Sequence, residues 1–263
     1  LILGLETFYD LLTSLEKLGQ VVDKELEPLG GERPFQDGRE FFVELKDVSY
    51  RIPEREKKII DGVNLEITPS CTILLKGPSG SGKSTLLRLI AAILEPDEGQ
   101  IFINEVSLKV VDLNYYRSHL GKSLPEETPF EGTILENLTF GDKSITMEEV
   151  YWALEKTKLI SFVKEQPQGL NTVLYPEGKQ IPFTVGKKLV LARSILRKPK
   201  LLLLKDPLDH FKPHEANDVM DFLTDPDNGW ALVVVSENER WASRCGRVVY
   251  FEDGKILKEN GNA

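Results

Sequence analysis

The chain has few of the side chains that build disulfide frameworks or metal centres. Only two of its 263 residues are cysteines and three are histidines. Cys71 and Cys245 lie far apart, at no metal-ligand spacing. We therefore interpret both as small core residues of a protein from a reducing compartment, with no disulfide or zinc role.

Long apolar runs are also missing. No stretch approaches the roughly 20 consecutive apolar residues that a membrane-spanning helix needs, and no signal-peptide pattern is present. Because the chain starts at Leu1 rather than at a methionine, we expect it to be a soluble piece of a longer protein.

The chain also has fewer positively charged than negatively charged side chains. The chain has 33 Lys and Arg against 42 Asp and Glu, a formal net charge of −9, and no dense basic run. An acidic chain without a basic patch does not suit the phosphate backbone of a nucleic acid, so we exclude nucleic-acid partners. The length allows one large domain or two small ones, with enough apolar content for a core.

The sequence does contain a complete phosphate-binding loop. An apolar, strand-like run at residues 72–75 precedes the loop, and residues 86–94 have the pattern of a buried helix. This strand–loop–helix context is the one that the motif requires. The pattern G-x-x-x-x-G-K-[ST] is matched throughout by Gly77-Pro78-Ser79-Gly80-Ser81-Gly82-Lys83-Ser84-Thr85.

Each part of this loop has a chemical role. Gly77, Gly80 and Gly82 can adopt backbone conformations that turn N–H groups toward an anion, and the positive end of the next helix completes the cradle. Lys83 would reach the outer phosphates, and the Ser84 hydroxyl would ordinarily ligate Mg²⁺. The sequence therefore predicts a nucleoside triphosphate site, and cleavage of the nucleotide is a separate question.

Strand and helix patterns alternate along the rest of the chain, which favours an α/β sheet with an inserted helical subdomain. Residues 1–28 carry helical apolar spacing, and residues 29–38 have the composition of a linker. Further on come strand patterns from about residue 41, mainly helical patterns over residues 112–196, and buried strands at Leu201–Leu204 and Ala231–Val235.

From Phe41 to Lys258 the chain resembles the nucleotide-binding domain of an ATP-binding cassette (ABC) exporter. The match preserves the order and spacing of the family's landmarks. Those landmarks are Lys46-Asp47-Val48-Ser49-Tyr50, Ile60-Asp61-Gly62-Val63-Asn64-Leu65, the phosphate loop, Leu94-Glu95-Pro96-Asp97-Glu98-Gly99, Phe130-Glu131-Gly132-Thr133-Ile134, Leu191-Ala192-Arg193-Ser194-Ile195-Leu196 and Pro199-Lys200-Leu201-Leu202-Leu203-Leu204.

The resemblance implies an α/β fold of the P-loop NTPase (ABC-type ATPase) kind. Its core sheet would carry an antiparallel β subdomain and an inserted helical subdomain at about residues 112–197. Residues 39–263 would form the nucleotide-binding domain. Residues 1–38 would be a helix and linker from the cytoplasmic end of a transmembrane domain, with an ordinary amphipathic helix as the alternative.

The residues that this family uses for catalysis are mostly replaced. After the apolar strand the family has Asp-Glu, which supports the metal and polarises the attacking water, whereas this chain has Lys205-Asp206. Lys205 would oppose a metal ion at close range, so a role for Mg²⁺ is uncertain. Asp206 is one methylene shorter than Glu, and withdrawing a base by about 1 Å can cost on the order of 100-fold in rate. Asp206 is therefore only a weak candidate for the base.

A third catalytic position also differs. The histidine that follows the next strand in this family aligns with Glu237, whose carboxylate would repel a phosphate. Because the strands ending at Lys205 and Ser236 are neighbours in this family, one hypothesis joins Lys205 and Glu237 in a salt bridge across the metal site. Independent drift of the two residues is the alternative.

The recognition positions depart from the family as well. Phe183 is bulky and Pro182 lacks an N–H donor, where the family has small residues. The glutamine that senses the γ-phosphate aligns with Glu126. The aromatic that stacks on adenine aligns with Ile52, and Tyr50, two residues away, could substitute for it. The family's Leu-Ser-Gly-Gly-Gln signature aligns with Ile181-Pro182-Phe183-Thr184-Val185.

The resemblance thus implies an ATP-binding domain of an ABC exporter that couples nucleotide binding to transport across a membrane, with impaired hydrolysis. Two alternatives remain open: an active but atypical ATPase that uses Asp206, and a non-enzymatic interaction scaffold. The implied partners are an exporter's transmembrane domain and a second nucleotide-binding domain, identical or different. The implied location is the cytoplasmic face of the cell (inner) membrane.

Overall fold

The chain divides into two compact units, residues 1–31 and 32–263. In the first unit, residues 9–17 form a helix, α1; the rest of the predicted N-terminal helix lies outside the described residues. Across the part of the chain that is described, no helix combines the length and the apolar character needed to cross a bilayer. The structure, a computed structural model, describes residues 9–17, 19, 27, 30–35, 40–52 and 57–261.

In the described part of the second unit, the strands form a six-stranded sheet, a four-stranded sheet and a two-stranded ribbon. The strands are β1 (Val43–Tyr50), β2 (Ile60–Ile67), β3 (Thr72–Lys76), β4 (Glu98–Ile103), β5 (Val106–Ser107), β6 (Leu120–Ser123), β7 (Gly132–Thr133), β8 (Val173–Leu174), β9 (Leu201–Lys205), β10 (Ala231–Val235), β11 (Arg247–Glu252) and β12 (Lys255–Gly261). The six-stranded sheet has the order β12-β11-β3-β10-β9-β6, and the antiparallel four-stranded sheet has the order β2-β1-β4-β5.

The six-stranded sheet has a hydrophobic core on each face. β3, β10 and β9 run parallel beside one another and are buried apolar runs except at their ends, as is typical of strands covered on both sides. Successive side chains alternate between the two faces. Leu203 and Val233 therefore lie in one apolar cluster, while Leu202 and Leu232 lie in the other.

Two of the helices begin at capping boxes. At the start of α4 (Ile134–Thr139), Thr133 accepts from the N–H of Glu136 while the Glu136 carboxylate accepts from the N–H of Thr133, and Thr146 and Glu149 do the same at α5 (Met147–Lys156). Such a pair satisfies two backbone donors that the helix leaves open. The helices are α2 (Lys83–Ile90), α3 (Leu113–Ser118), α4 (Ile134–Thr139), α5 (Met147–Lys156), α6 (Ile160–Glu165), α7 (Phe183–Leu196) and α8 (Pro213–Leu223).

The predicted fold class is confirmed: a largely parallel core sheet, an antiparallel sheet and a helical region between β6 and β9. β6 falls inside the stretch of mainly helical patterns, and it pairs with β9 at the edge of the core sheet. The carboxyl ends of β3, β10 and β9 meet at one edge of that sheet. In open α/β sheets this edge is where ligands bind.

Candidate nucleotide-binding site

The phosphate loop joins β3 to α2 and has the backbone shape that its glycines allow. Gly77 and Gly82 have φ angles of +142° and +104°, in the region that favours glycine. A Cβ atom on Gly77 would lie 1.8 Å from the carbonyl oxygen of Phe251, so no other residue fits there. No side chain caps the N-terminus of α2. Its first N–H groups are therefore available to a bound anion.

Lys83, the first residue of α2, lies folded back over the loop. Its side chain is only 8% exposed, and its ammonium donates to the carbonyl oxygens of Gly77 at 2.5 Å and Pro78 at 2.8 Å. Burial lowers the pKa of Lys83, and the nearby Lys205 ammonium adds to this effect, while Glu237 opposes it. The loop carbonyls thus hold this cation in the position from which it can reach a phosphate.

A cavity of about 360 Å³ opens beside the loop at the carboxyl edge of the sheet. The loop forms its floor, and the residues that follow β9 and β10 form its wall. It brings together most of the residues predicted from the sequence for nucleotide, metal and catalytic roles. Its lining is Ile59, Ser79, Gly80, Ser81, Gly82, Lys83, Ser84, Thr85, Lys205, Asp206, Val235 and Glu237.

Lys205 and Asp206 occupy the wall of this cavity at the end of β9. Lys205 is half-buried and pairs in register with Val235 of β10. Asp206 has a positive φ of +43°, and its N–H donates to the carbonyl of Val235 at 2.8 Å. Burial raises the pKa of Asp206, Asp209 raises it further, and Lys205 acts in the opposite direction. Both side chains therefore act on the same space as the phosphate loop.

The predicted salt bridge between Lys205 and Glu237 is wrong. The Glu237 carboxylate instead lies 3.8 Å from the Lys83 ammonium, and within the described chain Lys205 forms no ion pair. Glu237 stands two residues beyond the end of β10, which lies between β3 and β9. From there its side chain extends toward the loop lysine. The Glu237 side chain is 70% exposed, so this ion pair is weak.

The wall of the cavity does not suit Mg²⁺, which the family resemblance implies. Mg²⁺ binds through carboxylate, hydroxyl and phosphate oxygens in octahedral geometry. Of the two carboxylates here, Glu237 faces Lys83, and Asp206 follows directly after the Lys205 ammonium. The ammonium of Lys205 adds a positive charge that repels a metal ion. Over the described residues, no group of three or more His, Cys, Asp or Glu is arranged to hold a metal ion.

Glu126, the residue predicted to sense the γ-phosphate, lies outside the cavity lining. Its two carboxylate oxygens accept from Nε and Nη2 of Arg88, each at 3.0 Å. Arg88 is on α2, the helix that begins at Lys83. Arg88 was not among the site residues predicted from the sequence. An Arg one and a half turns after the loop is common on a helix surface, and only the fold brings it to Glu126.

Tyr50 and Ile52, the residues predicted to contact the adenine base, do not line the cavity. Tyr50 ends β1 half-buried against the core, and Ile52 is 38% exposed. Ile59, the residue just before β2, does line the cavity, and its carbonyl oxygen lies close to Gly82. No sequence pattern predicts that Ile59 lines the cavity, because its position depends on how the antiparallel sheet packs over the phosphate loop.

The segment aligned with the family signature lies at the start of α7, as the spacing predicts. Pro182 is the residue before the helix, and no side chain caps that end. Phe183 is 63% exposed, with the His210 ring edge-on at 5.6 Å and the Lys187 ammonium 5.6 Å from its ring centre. Thr184 is half-buried and Val185 packs on the apolar cluster of the helical region. The predicted signature segment therefore presents an exposed aromatic ring at the start of α7.

Comparisons with known proteins agree with this architecture. Residues 60–209 match the sequence profile of the family described as "ABC transporter". The chain is 28% identical over 263 residues to "ATP-binding cassette sub-family B member 5" of Homo sapiens, covering 98% of this chain and 21% of the relative. It is 29% identical over 259 residues to "ATP-dependent permease MDL1" of Candida albicans, covering 97% and 36% of the two chains.

A solved structure gives the same result for the fold. A bacterial Atm1-family ABC exporter with ATP bound superposes with a TM-score of 0.85 and 19% sequence identity, over 97% of this chain and 45% of the other. The sheet, the loop and the cavity at its carboxyl edge define a P-loop nucleotide-binding fold. Because the family profile matches more than half of its residues, the chain belongs to the ABC transporter family. It spans less than half of the length of the relatives compared here.

Proposed function

We propose that the chain is the nucleotide-binding domain of an ABC exporter, and that it binds ATP but hydrolyses it slowly or not at all. The observation that carries this proposal is a cavity with an intact phosphate loop and an altered wall. Lys83 and the N-terminus of α2 supply phosphate recognition, while Lys205 and Glu237 stand at the positions that catalysis needs.

Impaired hydrolysis is supported by the charges of the wall. Asp206 is the carboxylate that follows β9, and its side chain, one methylene shorter than the family's glutamate, reaches less far toward an attacking water. Glu237 brings negative charge toward an incoming phosphate. We expect the two effects together to lower the rate of hydrolysis by at least about 100-fold relative to a cassette with Glu and His at these positions.

The proposed assembly follows from the family and from the relatives' names. We propose that residues 39–263 form the nucleotide-binding domain and that residues 1–38 continue from a transmembrane domain. The partners would then be that transmembrane domain and a second nucleotide-binding domain, identical or different, at the cytoplasmic face of the membrane. The exposed Phe183 ring would face the second domain.

Calorimetry with ATP and a phosphate-release assay on the same sample test this proposal. We expect ATP to bind the wild type, phosphate release to stay at the level of Lys83→Ala, and Lys83→Ala to lose binding. Lys200→Ala is the matched control, because Lys200 is exposed at the opposite end of β9.

Two results would favour the alternatives. Phosphate release that depends on Mg²⁺ and disappears in Lys83→Ala would establish an active but atypical ATPase. A chain that binds no adenine or guanine nucleotide under any condition would be an interaction scaffold, and the proposed function would fail.

A further inference from the structure

The ammonium of Lys205 lacks the carboxylate partner that most partly buried or buried lysines of the described residues have. Lys122 pairs with Glu127 at 3.2 Å and Lys188 with Glu215 at 2.9 Å, whereas Lys187, like Lys205, has no carboxylate partner and lies 5.6 Å from the Phe183 ring centre. Lys205 is half-buried at the end of β9, and the described chain gives it no such partner. An unpaired ammonium in such a place is available to a bound anion.

The place of Lys205 identifies that anion. Its side chain lines the same cavity as Lys83 and Ser84 of the phosphate loop. The two ammonium groups therefore face a common space, and in keeping with this the Lys205 charge lowers the pKa of Lys83. Two cations held together beside a ring of open backbone N–H groups are suited to a highly charged phosphate chain.

The formal charge of the wall leads to the same conclusion. Two ammonium groups, of Lys83 and Lys205, and two carboxylates, of Asp206 and Glu237, line the cavity and sum to zero. An aspartate in place of Lys205 would make that sum −2. The difference of two positive charges equals the charge that one Mg²⁺ ion would bring to the phosphates.

We propose that this site takes the nucleoside triphosphate without a divalent cation, and that the Lys205 ammonium supplies the charge in place of the metal. This inference rests on the proposed function, since it assumes that the loop binds ATP. It adds that the bound form is the metal-free nucleotide, and that Lys205 determines this preference.

Calorimetric titration of the 263-residue chain with ATP, in EDTA and in millimolar MgCl₂, gives the first test. We expect the wild type to bind ATP in EDTA at least as tightly as in MgCl₂. Mg²⁺ that strengthens wild-type binding by about threefold or more would overturn the inference. ATP that binds in neither condition would mean that the proposed function itself fails.

A charge reversal gives the second test. We expect Lys205→Asp to bind ATP at least about tenfold more weakly than the wild type in EDTA, and to regain most of that loss when MgCl₂ is added. Lys205→Met, which keeps the length of the side chain without its charge, is expected to weaken binding in EDTA by several-fold. ATP affinity in EDTA that is unchanged in both variants would contradict the role of Lys205.

Two controls separate this role from other causes. Lys200→Asp makes the same change of charge at the opposite end of β9, and its affinity in EDTA should match that of the wild type. Lys83→Ala should lose binding in both conditions. Near-identical thermal unfolding of Lys205→Met and the wild type would show that the fold is intact. If Lys200→Asp lost as much ATP affinity as Lys205→Asp, the effect of Lys205 would not be local, and the inference would be refuted.

Discussion

Arg88 and Glu126 form a two-point ion pair that ties α2 to the segment after β6. The Nε–Oε1 and Nη2–Oε2 distances are both 3.0 Å, and about a third of each side chain is exposed. The hydrogen bond from Arg88 holds the pKa of Glu126 below its usual value. Glu126, which was predicted to take the place of a sensing glutamine, is thus engaged with the helix that carries Lys83.

A double-mutant cycle with Arg88→Gln and Glu126→Gln should measure a coupling of about 0.5–1 kcal/mol in the free energy of unfolding at pH 7, the discounted value for a partly exposed pair. Because the folded-state pKa of Glu126 is lowered, the coupling is complete above the ordinary carboxyl pKa of about 4.3 and is lost as the pH falls through the folded-state value. Urea unfolding at pH 7 and near pH 3 checks both statements.

The exposed residue Glu131, which has no ion pair in the described chain, supplies the control for this cycle. Glu131→Gln should show no coupling to Arg88→Gln at either pH. Equal coupling for Glu126 and Glu131 would mean that a general charge effect, rather than the ion pair, is being measured.

Two glycines of the phosphate loop should respond differently to alanine. Gly77→Ala places a Cβ 1.8 Å from the Phe251 carbonyl, so we expect a loss of at least about 2 kcal/mol in the free energy of unfolding together with the loss of ATP binding. Gly80 has a φ of +81° but open space around it. Gly80→Ala should cost about 1 kcal/mol, from backbone strain alone. Urea unfolding measures the free energy of unfolding of the two variants. Equal losses would contradict the close contact between Gly77 and the Phe251 carbonyl.

Glu237 should weaken nucleotide binding. Glu237→Gln removes a negative charge from the cavity and frees Lys83 from a carboxylate 3.8 Å away. We therefore expect ATP to bind about three- to tenfold more tightly. The matched variant is Glu239→Gln, on the same loop, whose carboxylate pairs with Lys76 and does not line the cavity. Calorimetry measures the ATP affinity of both variants. An unchanged affinity in Glu237→Gln would refute the prediction.

The two cysteines should differ in reactivity. Cys245 is 1% exposed, and this burial raises the pKa of its thiol to about 12, whereas Cys71 is only partly buried. At pH 8 the thiolate of Cys245 is then about one part in ten thousand, so the folded chain should react with a disulfide reagent through Cys71 alone, and slowly. Both thiols should react in 6 M guanidinium chloride. Cys71→Ser tests this, since any fast reaction of the folded variant would contradict the burial of Cys245.

The regular parts of the molecule were predictable because they follow from local chemistry. The phosphate loop and the buried strands at residues 201–204 and 231–235 both follow from short patterns. Strand β2 continues through Asp61 and Gly62, which interrupt its apolar run and are weak signals for a strand. Strand pairing with β1 keeps these residues in the sheet despite their low strand propensity.

The contacts of long side chains were not predictable in the same way. The family resemblance implied that the strands ending at Lys205 and Ser236 are neighbours, and β9 and β10 do pair, yet the Glu237 carboxylate lies 3.8 Å from the Lys83 ammonium. Strand order fixes where a side chain begins, whereas its direction depends on the turn that follows the strand. The contact of Ile59 with the cavity needs the packing of one sheet on another, which no local pattern contains.

The close fit of Gly77 against Phe251 has a consequence for the timing of synthesis. The first residues of the phosphate loop lie against β11, and the N–H of Gly254 donates to the carbonyl of Ser81 at 3.0 Å. These partners are translated long after the loop itself. A nascent chain that ends before residue 251 therefore contains the whole motif but lacks the strand that holds its backbone in shape. Nucleotide capture should begin only when the hairpin of β11 and β12 has left the ribosome.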